Sequence, residues 1–479
     1  MRYISTRGGI APLPFQDALM MGLARDGGLL VPERLPSVSE ATLEQWQRFG
    51  YQQLALELLS LFIDDIGRQT LNELIESAYA HFDHPQVTPM RRQGELFILE
   101  LFHGPTLAFK DVALQLLGNL FTHVLGQRGG CMNILGATSG DTGSAAIAGV
   151  RGKPGINIFI LHPHGRTSPL QALQMTTVLD KNVFNIAVRG SFDDAQAIVK
   201  TLFNDLAFRD RYCLGAVNSI NWARILAQVV YYVFSYLKLR GLGHRSVDFA
   251  VPTGNFGDIF AGFVAKNLLP RGCIQRLILA TNANDILTRF VKRGDYSRSQ
   301  VIPTSSPSMD IQIASNFERY LYYLHDGDSA ALRADMEQFA QSGCLDLSRF
   351  RARTAEDFRS HSVSEDETIA TIAEFYQKHA YLLDPHTAVG VRAAMACREE
   401  RPVICLATAH PAKFGASVQK AIGFSRSVYG TTHNSNIYLA GLILFYFGLK
   451  RRDHLFHIFR YLYKIYPAPS ACRTRYEVY

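Results

Sequence analysis

The 479-residue sequence predicts an α/β protein with mainly parallel sheets flanked by helices and a mainly helical region in front of them. Three observations carry this expectation. Short β-like runs alternate with helix-like runs through the middle of the chain, several junctions between them are rich in glycine, and the first 88 or so residues show helical patterns with little strand signal.

Taken in order, helical patterns fall at Pro14–Ala24, Ala41–Phe62 and Thr70–Phe82. Strands are expected at Phe97–Leu101, Met132–Leu135, Asn157–Leu161, Val183–Val188, Val247–Val251, Leu277–Ala280 and Val403–Ala407, most of them followed by a helical pattern. The Ser/Pro-rich stretch Ser299–Asp310 reads as a loop. With 47% hydrophobic residues the chain can bury a large core and should divide into domains. The expected segments are 1–93, mainly helical; 94–215 and 216–424, each α/β; and 425–479, a basic aromatic tail.

The formal charge of +7 does not imply a nucleic-acid partner. Eight Lys and Arg against Asp453 and Glu477 lie beyond Phe424, so the body is near neutral. Seven scattered cysteines without a C-x-x-C pair read as thiols in a reducing cytosol. The N-terminal MRYISTRGGIAPLPF lacks the charged-then-apolar pattern of a signal peptide, so a cytoplasmic protein is expected. His162 and His164 have a spacing seen at metal sites but no Cys or carboxylate nearby, and they read as structural, with no metal expected.

Lys110 is the first candidate for chemistry. Apolar residues at Phe109, Val112, Ala113, Leu116, Leu117, Leu120, Phe121 and Val124 mark one buried helical face, and Gly104, Pro105 and Thr106 supply start signals, so a helix should begin a few residues before Lys110. An ammonium in a first helical turn opposes the helix dipole, and its pKa should fall, as a Schiff-base or proton-abstracting amine requires. The other reading is a surface lysine paired with Asp111 or Glu100.

Two glycine-rich junctions could cradle anions. In GATSGDTGSAAIAG, Ser139, Asp141 and Thr142 lie at a helix N-terminus; in VPTGNFGDIF, Gly254, Asn255, Phe256, Gly257 and Asp258 would offer backbone N–H groups to a phosphate. A capped glycine-rich turn without a ligand is the plainer reading of the first, and neither matches a Walker or a G-x-G-x-x-G pattern. In NSINWARILAQ a helix begins near Asn218–Asn221 with Arg224 in its first turns, either paired with a carboxylate or holding a bound anion. Thr408, at the end of the last strand, is either a helix N-cap or a hydroxyl able to meet a heteroaromatic nitrogen.

An imine-forming lysine, two anion loops and a strand-end hydroxyl are the parts of a pyridoxal-phosphate site. The segments ELFHGPTLAFKD, GATSGDTGSAA, NSINWARILAQ, VPTGNFGD, SPSMDI, DPHTAVG and ATAHPAKF, in that order, resemble those of the bacterial threonine synthase family, as do RYISTRG and GLARDGGLLVPE. The likeness covers about Met1–Phe424. It implies a fold type II pyridoxal 5'-phosphate enzyme that converts O-phospho-L-homoserine and water to L-threonine and phosphate. By motif, Lys110 would carry the cofactor and then shuttle protons, Gly254, Asn255, Phe256, Gly257 and Asp258 would hold the cofactor phosphate, and Thr408 would face the pyridine nitrogen. Ser139, Asp141 and Thr142 would bind the substrate carboxylate or the cofactor ring oxygen, although many related loops carry Asn in place of Asp141. Arg224, with Ser219 or Asn221, would hold the departing phosphate. His386 and Thr387 would lie near the site without an assigned role. A serine or threonine dehydratase-like lyase and a non-catalytic relative are the competing readings.

The tail departs from the family pattern. Its apolar run Ile437–Leu449 spans 13 residues, short of the roughly 20 needed to cross a bilayer. An altered reading frame, a lineage-specific extension and a membrane-surface helix all fit it.

Overall fold

The computed structural model describes residues 1–165, 167–423 and 476–478. The tail's apolar run and its candidate surface helix lie outside the described residues. Two sheets organise the molecule. The larger has six strands in the order Phe358–Ser362, Ile274–Thr281, Val247–Pro252, Val403–Ala407, Leu96–Glu100 and Met90–Gln93, all parallel except the last pair, an antiparallel hairpin. The smaller runs Val183–Val188, Ile156–Pro163, Met132–Ala137 and Leu214–Gly215 in parallel, with the strand Tyr476–Val478 antiparallel on its Val183 edge. The mainly parallel α/β expectation therefore holds. Leu96–Glu100 belongs to the larger sheet, whereas the helix that follows it, Lys110–Arg128, packs on Asp141–Val150, so the chain crosses between the two layers at the turn before Lys110.

Central strands of a parallel sheet are covered on both faces and read as apolar runs. Val247–Pro252 and Val403–Ala407 are buried along their whole length. Three strands are too polar or short to read from pattern. These are Met90–Gln93 (MRRQ), Phe358–Ser362 (FRSHS) and the two-residue Leu214–Gly215. One apolar cluster joins the N-terminal helices to the helices between the sheets, a second lies behind the larger sheet around Ile98, Ile278, Val389 and Cys405, and a third lies behind the smaller sheet around Phe159, Ile186 and Val199.

The N-terminal region is helical but not only so, since Tyr3–Ser5 and Leu30–Pro32 form an antiparallel pair. The expected helix Ala41–Phe62 is two, Glu40–Trp46 and Tyr51–Ser60, because Gly50 takes an extended conformation between them. Ser299–Asp310 is a loop carrying one short 3-10 turn, Pro307–Met309.

Two helices start at the same place because glycines let them touch. A Cβ on Gly118 would sit 2.0 Å from the Gly149 carbonyl oxygen, and one on Gly149 would sit 2.4 Å from that of Leu114. This contact brings together the first residues of the two helices, Lys110 and Asp141.

Candidate active site

Lys110 opens its helix rather than following a turn of it, contrary to the start expected a few residues earlier. The reason is Asp111, which is fully buried and accepts from the Thr106 backbone N–H at 2.8 Å and its hydroxyl at 2.7 Å. Those bonds, with Leu107 in a left-handed conformation, make Gly104–Phe109 a turn. Burial pushes the Asp111 carboxyl up to about 6. Strand Val403–Ala407 pins the same turn from beyond its end, because Phe109 N–H donates to the Thr408 carbonyl at 2.8 Å and His410 N–H to that of Leu107 at 3.0 Å. The surface-lysine reading is thereby excluded. Lys110 is buried, and its partner is neither Asp111 nor Glu100.

That partner is Asp141. Lys110 Nζ donates to Asp141 Oδ2 at 3.3 Å and stands 3.5 Å from Ser308 Oγ. Asp141 Oδ1 accepts from Gln171 Nε2 at 2.9 Å and lies 2.9 Å from Nζ of Lys413, a second buried lysine. Burial pushes the Lys110 ammonium below the usual lysine range; the Lys413 and Arg224 charges add to this and Asp141 opposes it. Burial would raise the Asp141 carboxyl, but Lys413 and Lys110, with His386 and Gln171, hold it well below the carboxylate range.

The Gly254–Asp258 segment closes over the start of helix Gly257–Leu268. Among the described residues, nothing accepts a hydrogen bond from the backbone N–H of Gly254, Asn255, Phe256, Gly257 or Asp258. Phe256 is held at φ 64, a conformation that costs a non-glycine residue about 1–3 kcal/mol and is retained where packing enforces it. Here Phe317, Tyr320 and Phe358 enclose its ring. Gly254 cannot carry a side chain, because a Cβ would meet the Ser308 carbonyl at 2.5 Å. The Asp258 carboxylate is engaged through Oδ1, which accepts from Tyr231 at 2.6 Å and Tyr232 at 2.9 Å, and burial raises it to about 6. Oδ2 is buried without a partner among the described residues, and the Asp258 backbone N–H also remains for a ligand.

At the other loop the capping belongs to Thr138, whose hydroxyl accepts from the N–H groups of Gly140 at 2.9 Å and Gly143 at 2.8 Å. The side chains of Ser139 and Thr142 are half-buried, and no hydrogen bond ties them or their backbone N–H groups to other described residues.

Arg224 is buried, and no carboxylate among the described residues pairs with it. Its Nη1 donates to the Val217 carbonyl at 2.9 Å, and its Nε has no partner. Burial lowers it to about 10. A buried guanidinium without a counter-ion is expensive, and an anionic ligand is what relieves it. Ser219 adjoins the cradle: a Cβ on Gly257 would come within 3.5 Å of its Cβ, and its hydroxyl accepts from Asn316 at 3.1 Å. Asn221 is already committed. It caps the helix Trp222–Gly241 through Ala223 N–H and donates to the Leu19 carbonyl.

Thr408 is not a helix N-cap, since His410 caps the following turn. Its backbone N–H donates to Thr387 Oγ1 at 3.2 Å, and its hydroxyl has no hydrogen-bond partner among the described residues. Asp384 orders this corner by accepting from the Thr387 hydroxyl and from the N–H groups of His386 and Thr387. His386 Nε2 accepts from the Ser308 N–H at 3.2 Å, so the ring proton sits on Nδ1 and donates to Asp384 at 2.9 Å. His162 ends a strand of the smaller sheet, and no cluster able to hold a metal ion occurs among the described residues.

Sequence reasoning missed Lys413, Ser308 and Gln171. Lys413 and Ser308 lie inside the recognised segments ATAHPAKF and SPSMDI, but their meeting with Asp141 is a long-range contact without a local signal.

Three family models match the chain. "Threonine synthase N terminus" covers residues 2–79, "Pyridoxal-phosphate dependent enzyme" residues 83–408, and "Threonine synthase, C-terminal" residues 387–434. The threonine synthase of Pseudomonas aeruginosa is 50% identical over 88% of this chain and 90% of its own length. The crystal structure of pyridoxal-phosphate-bound threonine synthase from Brucella melitensis superposes with a TM-score of 0.85 at 47% identity, covering 89% of this chain and 92% of that one. The yeast threonine synthase structure gives 0.86 at 41% identity, covering 96% and 98%.

Proposed function

The chain belongs to the threonine synthase family of pyridoxal-phosphate-dependent enzymes, and from that membership we propose that it converts O-phospho-L-homoserine and water to L-threonine and phosphate. Pyridoxal phosphate fits the residues present. The unpartnered N–H groups of Gly254, Asn255, Phe256, Gly257 and Asp258 suit its phosphate, Lys110 its aldehyde carbon, and the free Thr408 hydroxyl its ring nitrogen. When bound, the cofactor supplies an electron sink for a negative charge at the substrate α-carbon. A neutral hydroxyl at the ring nitrogen, unlike a carboxylate, would not hold that nitrogen protonated, so positioning has to supply more of the stabilisation.

Lys110 provides the base. Burial favours its neutral form, and an amine freed by the incoming substrate can take the α-proton and return protons later. Ser139 and Thr142 offer hydroxyls and N–H groups to the substrate carboxylate. The departing phosphate dianion requires a cation, and Arg224 fills this role together with the Ser219 hydroxyl; Asn221 holds the helix start that carries Arg224. The observation that carries the phosphorylated-substrate reading is the buried, carboxylate-free guanidinium of Arg224. A cytoplasmic setting belongs to the same proposal, supported by the six free thiols among the described residues.

The test is incubation of the pyridoxal-phosphate-loaded protein with O-phospho-L-homoserine. Equimolar phosphate and threonine are expected from the native chain and neither from Lys110→Ala. Turnover of free serine or threonine in place of phosphohomoserine would reject the assignment for a dehydratase.

A further inference from the structure

Lys413 is a buried charge that the reaction as described does not use. Its side chain has no exposed surface, and its Nζ donates to the Thr106 carbonyl at 2.7 Å and pairs with Asp141 Oδ1 at 2.9 Å. Thr106 belongs to the turn that Asp111 locks ahead of Lys110, so Lys413 is tied to the backbone that sets the reactive amine in place. Asp141 therefore stands between two ammonium groups, one oxygen given to each. Gln171 holds Oδ1 as well, and Ser308 Oγ stands 3.5 Å from Oδ2.

The consequence follows from charge and from hydrogen-bonding capacity. A carboxylate facing Lys110 alone would hold it as a fixed ammonium ion, unable to form an imine or to accept a proton. Paired with Lys413, the carboxylate contributes little net charge. It also differs from a neutral amide, which can flip and present donors to an amine: the pinned carboxylate offers Lys110 acceptors only. We propose that Lys413 is a positioning residue for Lys110, sharing the Asp141 carboxylate so that Asp141 orients the amine without fixing a proton on it. This rests on the reading of Lys110 as the cofactor-bearing lysine. The other titratable and charged groups that bear on this pair are Asp111, next to Lys110 on its own helix and within the field of Lys413, Arg224 from the helix Trp222–Gly241, Asp258 from Gly257–Leu268 and His386 from Pro385–Cys397.

The experiment is a pH titration of the visible absorbance of the holoenzyme without substrate, in the native protein, Lys413→Met, Asp141→Asn and the double variant. Removing Lys413 leaves Asp141 facing Lys110 alone, and the midpoint should rise by about one pH unit or more; removing Asp141 leaves Lys413 uncompensated, and the midpoint should fall by a similar amount. The double variant should return close to the native midpoint. An unmoved midpoint in Lys413→Met, or shifts of the same sign in both single variants, would overturn the proposal. If Lys413→Met does not fold, Asp141→Asn against the double variant reads the same effect, and equal midpoints there would overturn it. Lys110→Ala separates the underlying reading: a Lys110→Ala protein that keeps the native pH-dependent absorbance removes Lys110 as the cofactor lysine, whatever the Lys413 result.

Discussion

Replacing Arg224 with methionine should move stability and turnover in opposite directions. Burial lowers the guanidinium from its ordinary value to about 10, which corresponds to roughly 3 kcal/mol of penalty on the charged form. Because the folded value lies below the unfolded one, that penalty is fully present at every pH below about 10 and fades only as pH climbs from there toward the unfolded value. The substitution removes it, but leaves the Val217 carbonyl without its donor, a loss of about 1–3 kcal/mol. The ligand-free variant should therefore be as stable as the native protein or up to about 2 kcal/mol more stable by denaturant unfolding at pH 7. Turnover of O-phospho-L-homoserine should fall by about 100- to 1,000-fold, the usual effect of deleting one charge-stabilising donor, while cofactor loading changes little. A variant that loses stability and keeps native turnover would show that Arg224 is a structural cation and refute the argument.

Gly254→Ala should weaken pyridoxal-phosphate binding at least about tenfold in a spectroscopic titration, because the new methyl group would displace the Ser308 carbonyl that lies 2.5 Å from its position; native affinity would contradict the cradle. Asp258 has a folded-state value near 6, above its unfolded 3.8, so its contribution to stability is lost as pH rises across that interval. Unfolding measurements from pH 4 to pH 7 should accordingly show a smaller decline for Asp258→Asn than for the native chain, and parallel curves would count against the burial argument. Thr138→Val should cost about 2–4 kcal/mol and lower Tm, since two buried N–H groups lose their shared acceptor; an unchanged Tm would place the loop's stability elsewhere.

The parts of the site that were legible in the sequence are those encoded locally. A lysine at a helix start, two glycine-rich turns after strands and a strand-end threonine each announce themselves within about ten residues, and the strands between them are continuous apolar runs. What could not be read depends on contacts between distant segments. Asp141 gained its meaning only when Lys413 arrived from the far end of the chain. Asp258 and Asn221 carry polar groups in the right segments, but Tyr231, Tyr232 and Leu19 claim them, and nothing in the local pattern tells a ligand-facing side chain from a capped or core-facing one. The local pattern starts the Lys110 helix too early because Thr106 looks like a start signal, whereas its hydroxyl is bound to Asp111. The edge strands Met90–Gln93 and Phe358–Ser362 were missed because they carry polar residues that central strands exclude.

Isotopic labelling of the products in ¹⁸O-enriched water tests the central claim most directly. If the site breaks the bond between the substrate's γ-carbon and its ester oxygen and then adds water at the β-carbon, threonine will carry the label in its hydroxyl and the released phosphate will carry none. Label in the phosphate, with homoserine as the other product, would mean hydrolysis of the phosphate ester and would contradict the account.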